Sequence, residues 1–184
     1  QITVVYVGDA SLEEGIFYEI CNFASLHNLK LLFVCENNLF SVYTDIKKRQ
    51  VTTNFTKYAE AFNISSLKID GNNVLDIQNK TKKILNFIKI KNKPFFLQLD
   101  TFRYYEHCGP NIDDHLNYRK RSLIKKWKNK DPVNSAEIYI KKNFGTKKLN
   151  SIKSNINSDL EKIFKSVIKT KLPDFKEASK HVFS

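Results

Sequence analysis

The chain has 184 residues and a net charge of +12, and 41% of its residues are hydrophobic. This hydrophobic fraction is enough for a packed core and excludes wholesale disorder, while the length predicts one domain or one domain with an appendage. There is no run of 18 apolar residues, which argues against a membrane span. Three cysteines are an odd number in a chain of this length, so they argue against a disulfide framework and favour a reducing, cytoplasmic location.

The charge is unevenly distributed along the chain. Residues 1–45 carry a net charge of −5, whereas residues 115–184 carry +12. A basic segment can bind nucleic acid through phosphate contacts, but 27 of the 31 basic residues are Lys, and base-specific recognition favours Arg. We therefore expect a solvated basic face, and a non-catalytic basic binding module is kept as an alternative.

The beginning of the chain predicts a β-α-β unit. Residues 3–7 and 31–35 are apolar runs that predict buried parallel strands. Residues 14–27 have apolar side chains close to helical spacing, which predicts the helix between these strands. A strand that opens the chain, with no polar leader before it, suggests a fragment whose N-terminal part is missing.

The alternation of strands and helices continues as far as residue 101 and then gives way to helices. Residues 66–69 and 94–99 predict strands, and further helices are predicted at residues 55–62, 74–90, 119–129, 134–144, 156–170 and 174–181. This order predicts an α/β fold with a mostly parallel, open sheet flanked by helices and a helical C-terminal tail. We expect an α/β domain over residues 1–118 and a basic helical extension over residues 119–184.

Polar residues follow three of the predicted strands. Gly8 and Asp9 follow the first, Asn38 follows the second, and His107 lies on the segment after the last. Ligands of open parallel sheets bind at the carboxyl ends of the strands. Carboxylate and amide oxygens suit Mg²⁺, and the backbone N–H groups after Asp9 lead into a helix that favours a diphosphate. His107 would donate a hydrogen bond to a phosphate oxygen.

Residues 8–38 resemble the thiamine diphosphate motif, which is Gly-Asp-Gly followed, after fewer than thirty residues, by Asn-Asn. More narrowly, the chain resembles the alpha subunit of the first component of the 2-oxo acid dehydrogenases, the group that includes the pyruvate, branched-chain and acetoin dehydrogenases. The resemblance covers about residues 1–135. The residues that carry it are Glu14-Gly15, Phe17, Glu19, Asn22, Ala24, Cys35-Glu36-Asn37-Asn38, Ile69-Asp70-Gly71-Asn72, Phe102-Arg103-Tyr104, His107, Tyr118-Arg119, Trp127 and Asp131-Pro132.

The resemblance implies a thiamine diphosphate-binding fold and a set of site residues. Mg²⁺ would be held by the Asp9 carboxylate, the Asn38 amide oxygen and the Phe40 backbone carbonyl. Gly8, Ala10 and Ser11 would border the diphosphate. His107 would contact the diphosphate near the reacting centre as the catalytic residue of this chain.

The resemblance also implies an activity and partners. The activity is thiamine diphosphate-dependent oxidative decarboxylation of a pyruvate-like 2-oxo acid, with transfer of the acyl group to a lipoyl acceptor. The partners would be a beta subunit in an alpha2-beta2 heterotetramer and a lipoyl-bearing acyltransferase. Part of the pocket and the glutamate that activates the cofactor would lie outside this chain, so we expect the chain alone to be inactive.

Two features depart from the family pattern. Ala10 replaces the third motif residue, which is normally Gly, and its methyl group narrows the backbone approach to a diphosphate. The loop has Glu106, His107 and Cys108 in place of Gly-His-Ser, so the regulatory phosphoserine of the animal enzymes is expected to be absent. Because of this variant loop, we keep the alternative that the protein is a related thiamine diphosphate enzyme that acts on acetoin or on a sugar-pathway substrate.

Overall fold

A computed structural model describes residues 1–180. Within them, four parallel strands form a sheet of order β1-β2-β6-β5, and β3 and β4 form an antiparallel hairpin after β2. The strands are β1 (Thr3–Gly8), β2 (Leu31–Asn37), β3 (Phe40–Ser41), β4 (Thr44–Asp45), β5 (Ser65–Asp70) and β6 (Phe95–Asp100). The helices are α1 (Gly15–Leu26), α2 (Thr56–Glu60), α3 (Val74–Lys91), α4 (Arg121–Lys128), α5 (Pro132–Lys169) and α6 (Glu177–Lys180).

This architecture confirms the predicted α/β class, with a parallel open sheet flanked by helices and a helical C-terminal segment. The last predicted helix was expected to reach residue 181, and that residue lies outside the described part of the chain. None of the helices found in residues 1–180 has the length and apolar content that a membrane span requires.

The central strand β2 is buried on both faces, as its continuous apolar run predicts. Leu31, Phe33 and Cys35 belong to a core cluster that includes residues of α1 and α2. Leu32 and Val34 point to the opposite face, where they pack in a cluster with residues of α3. Period-two alternation along the strand therefore divides the core into two layers, one on each side of the sheet.

The prediction that β1 is buried is wrong. Within residues 1–180, β1 pairs with β2 along one edge only, and most of its residues are exposed. Val4 and Tyr6 are 40% and 68% exposed, respectively. Apolar sequence alone cannot distinguish an edge strand from a central one, because burial depends on the layers and strands that pack around it.

The three cysteines differ in burial, and this difference predicts selective alkylation. Cys21 and Cys35 are buried, whereas Cys108 is exposed. Burial raises the pKa of the Cys21 thiol from about 9 to about 12 and also raises the pKa of Cys35. At pH 8 the fraction of Cys21 present as thiolate is thus about a thousandfold smaller than it would be with a pKa of about 9. We expect iodoacetamide to modify Cys108 alone in the native chain, as read by mass spectrometry of the intact protein and its peptides. Modification of the three cysteines at equal rates would contradict the burial of Cys21 and Cys35. The urea-unfolded chain, in which all three thiols are exposed, serves as the control.

A third apolar cluster joins α4 to the end of the sheet. Ile124 and Trp127 of α4 pack in this cluster with Phe40 and Phe102, and the rings of Phe102 and Trp127 stack with centroids 5.8 Å apart. Residues 1–135 form one compact unit. The α/β domain predicted over residues 1–118 is shorter than this unit, because these contacts hold α4 against the strands.

The second compact unit begins at Ala136. Helix α5 is broken at Gly145, whose φ of 82° and ψ of 164° are not helical. Glu137 and Lys153 nevertheless form an ion pair of 2.7 Å across this break, so the chain reverses direction there. The sequence predicted no helix between residues 144 and 156, but residues 146–155 are helical, and no Gly or Pro interrupts them.

Candidate functional site

The predicted site residues from Gly8 to Phe40 lie at the carboxyl edge of the parallel sheet. In the register of the strands, Gly8 at the end of β1 lies opposite Glu36, and Asn37 at the end of β2 lies opposite Asp100 of β6. The turn of 3-10 helix that begins at Asp9 packs against β2 and β3. Strand pairing therefore brings the Asp9 turn close to the segment that carries Asn38 and Phe40.

Asp9 is a buried carboxylate paired with an arginine. Its side chain is 2% exposed, and its Oδ2 atom accepts a hydrogen bond of 2.6 Å from Nη2 of Arg49. A buried carboxylate is costly without a compensating charge. In this structure Arg49 supplies that charge to the residue that the sequence predicts as a metal ligand.

Arg49 makes three contacts that fix its guanidinium group. Besides Asp9, it pairs through Nη1 with Glu13 and donates from Nε to the backbone oxygen of Thr44 at 3.3 Å. Sequence reasoning missed Arg49. A signal was available, because Arg is rare in this Lys-rich chain and its planar fork suits buried carboxylates better than Lys does.

The two asparagines after β2 organise the turn that leads into β3. Asn38 Oδ1 accepts a hydrogen bond of 3.0 Å from the backbone N–H of Phe40, and Asn37 Oδ1 accepts one of 3.3 Å from Leu39. Leu39 has a φ of 73°, a left-handed conformation that these two bonds stabilise. The amide oxygen of Asn38, a predicted metal ligand, is thus oriented by the backbone of Phe40, another predicted ligand.

Asp100 is a second carboxylate at this edge, and sequence reasoning also missed it. Its Oδ1 atom accepts hydrogen bonds from Asn37 Nδ2 at 3.0 Å and from Gln98 Nε2 at 2.7 Å. Its Oδ2 atom pairs with Lys68 at 3.0 Å. Asp100 therefore holds Asn37 in place behind the turn, and nothing in the sequence pattern separates it from an ordinary residue at a strand end.

His107 lies on a loop with no regular structure before residue 114, and its side chain is exposed. Within residues 1–180 its ring forms no hydrogen bond or ion pair. The neighbouring turn is organised by Glu106, whose carboxylate accepts from the backbone N–H of Asn111 at 3.2 Å and from its Nδ2 at 2.7 Å. The loop thus presents His107 to solvent beside an ordered turn.

The base of this loop is fixed by buried charges. Asp113 and Arg119 form an ion pair in which both side chains are at most 3% exposed. Asp113 also accepts a hydrogen bond of 2.6 Å from the hydroxyl of Tyr118, and burial raises the pKa of that hydroxyl, with the bond to Asp113 as a further cause. The Tyr118 ring packs edge-on against Phe40 at 5.6 Å between centroids. The base of the His107 loop is therefore adjacent to a predicted metal ligand.

Arg103 ties the other end of the loop to the hairpin. Its Nη2 atom donates to the backbone oxygen of Val42 at 2.6 Å and to the hydroxyl of Tyr118 at 3.2 Å. Arg119 in turn donates to the backbone oxygen of Arg103. The sequence matched these residues to a family pattern, but the contacts that hold the loop are found only in the structure.

The donors at the sheet edge are hard oxygen atoms, the kind that Mg²⁺ prefers. The carboxylate of Asp9, the amide oxygen of Asn38 and the carbonyl of Phe40 are of this kind, and Asp9 bonds to Arg49 through Oδ2. A Cβ atom added at Gly8 would meet no other atom within 4 Å, so open space borders the turn. In the described part of the chain, no group of three or more His, Cys, Asp or Glu residues could hold a metal ion by itself. The chemistry of the three donors suits a metal that takes amide and carbonyl oxygens besides a carboxylate.

Comparison with known proteins identifies the family. Residues 1–176 match the family model described as the dehydrogenase E1 component. The chain is 28% identical to the pyruvate dehydrogenase E1 component subunit alpha of Rickettsia prowazekii (strain Madrid E) over 147 residues, which cover 79% of this chain and 44% of that protein. It is 27% identical to the mitochondrial subunit of the same name from Dictyostelium discoideum, covering 100% of this chain and 48% of that protein. The chain spans about half the length of these two curated relatives.

Other similarities are to a 2-oxoisovalerate dehydrogenase subunit and to a more distant structure. The mitochondrial 2-oxoisovalerate dehydrogenase subunit alpha 1 of Arabidopsis thaliana is 27% identical, with 78% of this chain and 30% of that protein covered. The transketolase from Leishmania mexicana superposes on 54% of this chain and 15% of its own at 20% identity, and its TM-score of 0.47 is too low to support an argument. On the family match, the chain belongs to the dehydrogenase E1 component family.

Proposed function

We propose that this chain contributes the Mg²⁺ and diphosphate side of a thiamine diphosphate site in an enzyme that oxidatively decarboxylates a pyruvate-like 2-oxo acid. The observation that carries the proposal is the buried Asp9 on a turn that packs against β3, beside Asn38 and Phe40, in a member of this family. The two relatives named as pyruvate dehydrogenase subunits favour pyruvate as the substrate.

Three oxygen donors would hold the metal ion. The Asp9 carboxylate supplies the negative charge, and the Asn38 amide and the Phe40 carbonyl supply neutral oxygens. Gly8, Ala10 and Ser11 would border the diphosphate, because they surround the start of the turn and open space lies beside Gly8. This division of roles assigns metal binding to three oxygen donors and diphosphate binding to the backbone of the turn that begins at Asp9.

Thiamine diphosphate, when bound, supplies the carbanion and the electron sink that decarboxylation requires. This chain's part is to bind and orient the cofactor. His107 would hydrogen-bond a phosphate oxygen and orient the reacting end, since it is exposed on a loop whose base packs against Phe40. The buried contacts of Arg103, Asp113 and Arg119 would limit the motion of this loop.

The partners would be a beta subunit, in an alpha2-beta2 arrangement, and a lipoyl-bearing acyltransferase that accepts the acyl group. Exposed apolar side chains support a protein partner, because such surfaces are rarely left open on a monomer. On α1 they recur at helical spacing as Ile16, Ile20 and Phe23. The helical unit after residue 136 exposes Leu160 and Ile163 in the same way.

Calorimetry would test the cofactor assignment. We expect thiamine diphosphate to bind only when Mg²⁺ is present, and Asn38→Ala to weaken that binding at least about tenfold, because the change removes one metal-binding oxygen and the bond that orients Phe40. The measurement uses the chain alone and the chain mixed with the beta subunit from the same source. Asn79→Ala, an exposed position on α3, is the matched control and should not change the affinity. Absence of cofactor binding in both preparations would overturn the proposal.

A further inference from the structure

We infer that Arg49 is the resident counter-ion of Asp9, which a divalent cation must displace, so that Arg49 sets the cation affinity of the site. The inference rests on the proposed function, since it concerns the same metal site. Arg49 acts on the site through Asp9, for which it competes with the metal. It is not itself a ligand of the metal or of the diphosphate.

Burial requires such a counter-ion. The side chains of Asp9 and Arg49 are 2% and 9% exposed, and their contact of 2.6 Å is a charge-assisted hydrogen bond. Glu13, on the same turn, brings a second carboxylate to the same guanidinium group. Without Arg49, two carboxylates would face each other at the turn, one of them buried, and that arrangement favours a divalent cation over an empty site.

Repulsion between positive charges prevents a metal ion and the guanidinium of Arg49 from binding Asp9 at the same time. A metal ion on Asp9 and a guanidinium on its Oδ2 atom would be two positive charges within a few ångströms of one another, in a partly buried place where their repulsion is strong. Arg49 must therefore leave Asp9, wholly or in part, when a cation binds there. The affinity that an experiment measures is the intrinsic affinity reduced by the fraction of molecules in which Arg49 has released Asp9.

The position of Arg49 also links this exchange to the rest of the site. Its Nε atom donates to the backbone oxygen of Thr44. Thr44 belongs to β4 and pairs with Ser41 of β3, next to Phe40. Arg49 thus connects the Asp9 turn to the hairpin that carries another predicted ligand, and its release would free both segments to adjust to the cation.

Titration of the 184-residue chain with MgCl₂, alone and mixed with the beta subunit and in the presence and absence of thiamine diphosphate, tests the inference by calorimetry and by thermal melting. We expect Arg49→Ala to lower the melting temperature without Mg²⁺ and to bind Mg²⁺ about tenfold more tightly, because the competing state is removed. Added Mg²⁺ should then restore the melting temperature. Arg49→Gln, which keeps much of the side-chain volume, is used in the same way should Arg49→Ala fail to fold.

Lys48→Ala is the matched control, since it removes one positive charge from the neighbouring position and Lys48 has no ion pair within residues 1–180. It should leave both the affinity and the melting temperature unchanged. If Arg49→Ala binds Mg²⁺ with unchanged or lower affinity while Asp9→Ala loses binding, the inference is overturned and the proposed function stands. If wild type and all the variants fail to bind Mg²⁺ and the cofactor, both alone and mixed with the beta subunit, the proposed function itself is wrong, and the inference falls with it.

Discussion

Replacing Asp9 with Ala is expected to weaken Mg²⁺-dependent binding of thiamine diphosphate by more than about a hundredfold, because the change removes the only charged donor of the proposed metal site. It also leaves the buried Arg49 with only the partly exposed Glu13 as a counter-charge, which costs up to about 3–5 kcal/mol of folding stability. Calorimetry measures the first effect, and urea denaturation followed by circular dichroism measures the second.

A double variant separates these two effects. Asp9→Ala combined with Arg49→Ala removes both buried charges, so we expect it to recover much of the lost stability while cofactor binding stays lost. Asp76→Asn is the control, since it removes a half-buried carboxylate from α3, on a different element of the same compact unit. Cofactor affinity that is unchanged in both Asp9→Ala and the double variant would exclude Asp9 as a metal ligand.

Replacing Asp113 with Ala is expected to destabilise the chain by up to about 3–5 kcal/mol, because the buried Arg119 would keep only the partly exposed Asp114 as a counter-charge. The hydroxyl of Tyr118 would lose its acceptor at the same time. Since these contacts close the base of the loop that carries His107, we also expect the loop to become susceptible to protease at concentrations that leave the wild type intact.

Asp114→Ala provides a matched control for this prediction. Asp114 pairs with the same arginine at 3.0 Å, but its side chain is 34% exposed, so its loss should cost no more than about 1 kcal/mol. Urea denaturation gives both free energies, and mass spectrometry of the proteolytic fragments locates the cleavage. Equal losses of stability in the two variants would show that the burial of an ion pair does not determine its contribution to folding stability.

The fold was largely predictable, because its signals are local. The apolar run of β2 and the helical spacing of α1 and α3 each lie within a short stretch of sequence, and their alternation is typical of a parallel sheet. The same reasoning failed for β1, whose residues resemble those of β2 although they lie at the sheet edge. It also missed the helical residues after Gly145, since a glycine reads equally well as the end of a helix and as a break within one.

Residue type and spacing were enough to predict the class of fold, the family resemblance and the candidate donors. The contacts of these donors could be found only in the folded chain. Asp9 and Arg49 are 40 residues apart, and Asn37 and Asp100 are 63 residues apart. Their contacts arise because parallel strands end at one edge, which brings together segments whose separation along the chain carries no signal. Because Asp9 is buried and paired with Arg49, its availability as a metal ligand depends on Arg49.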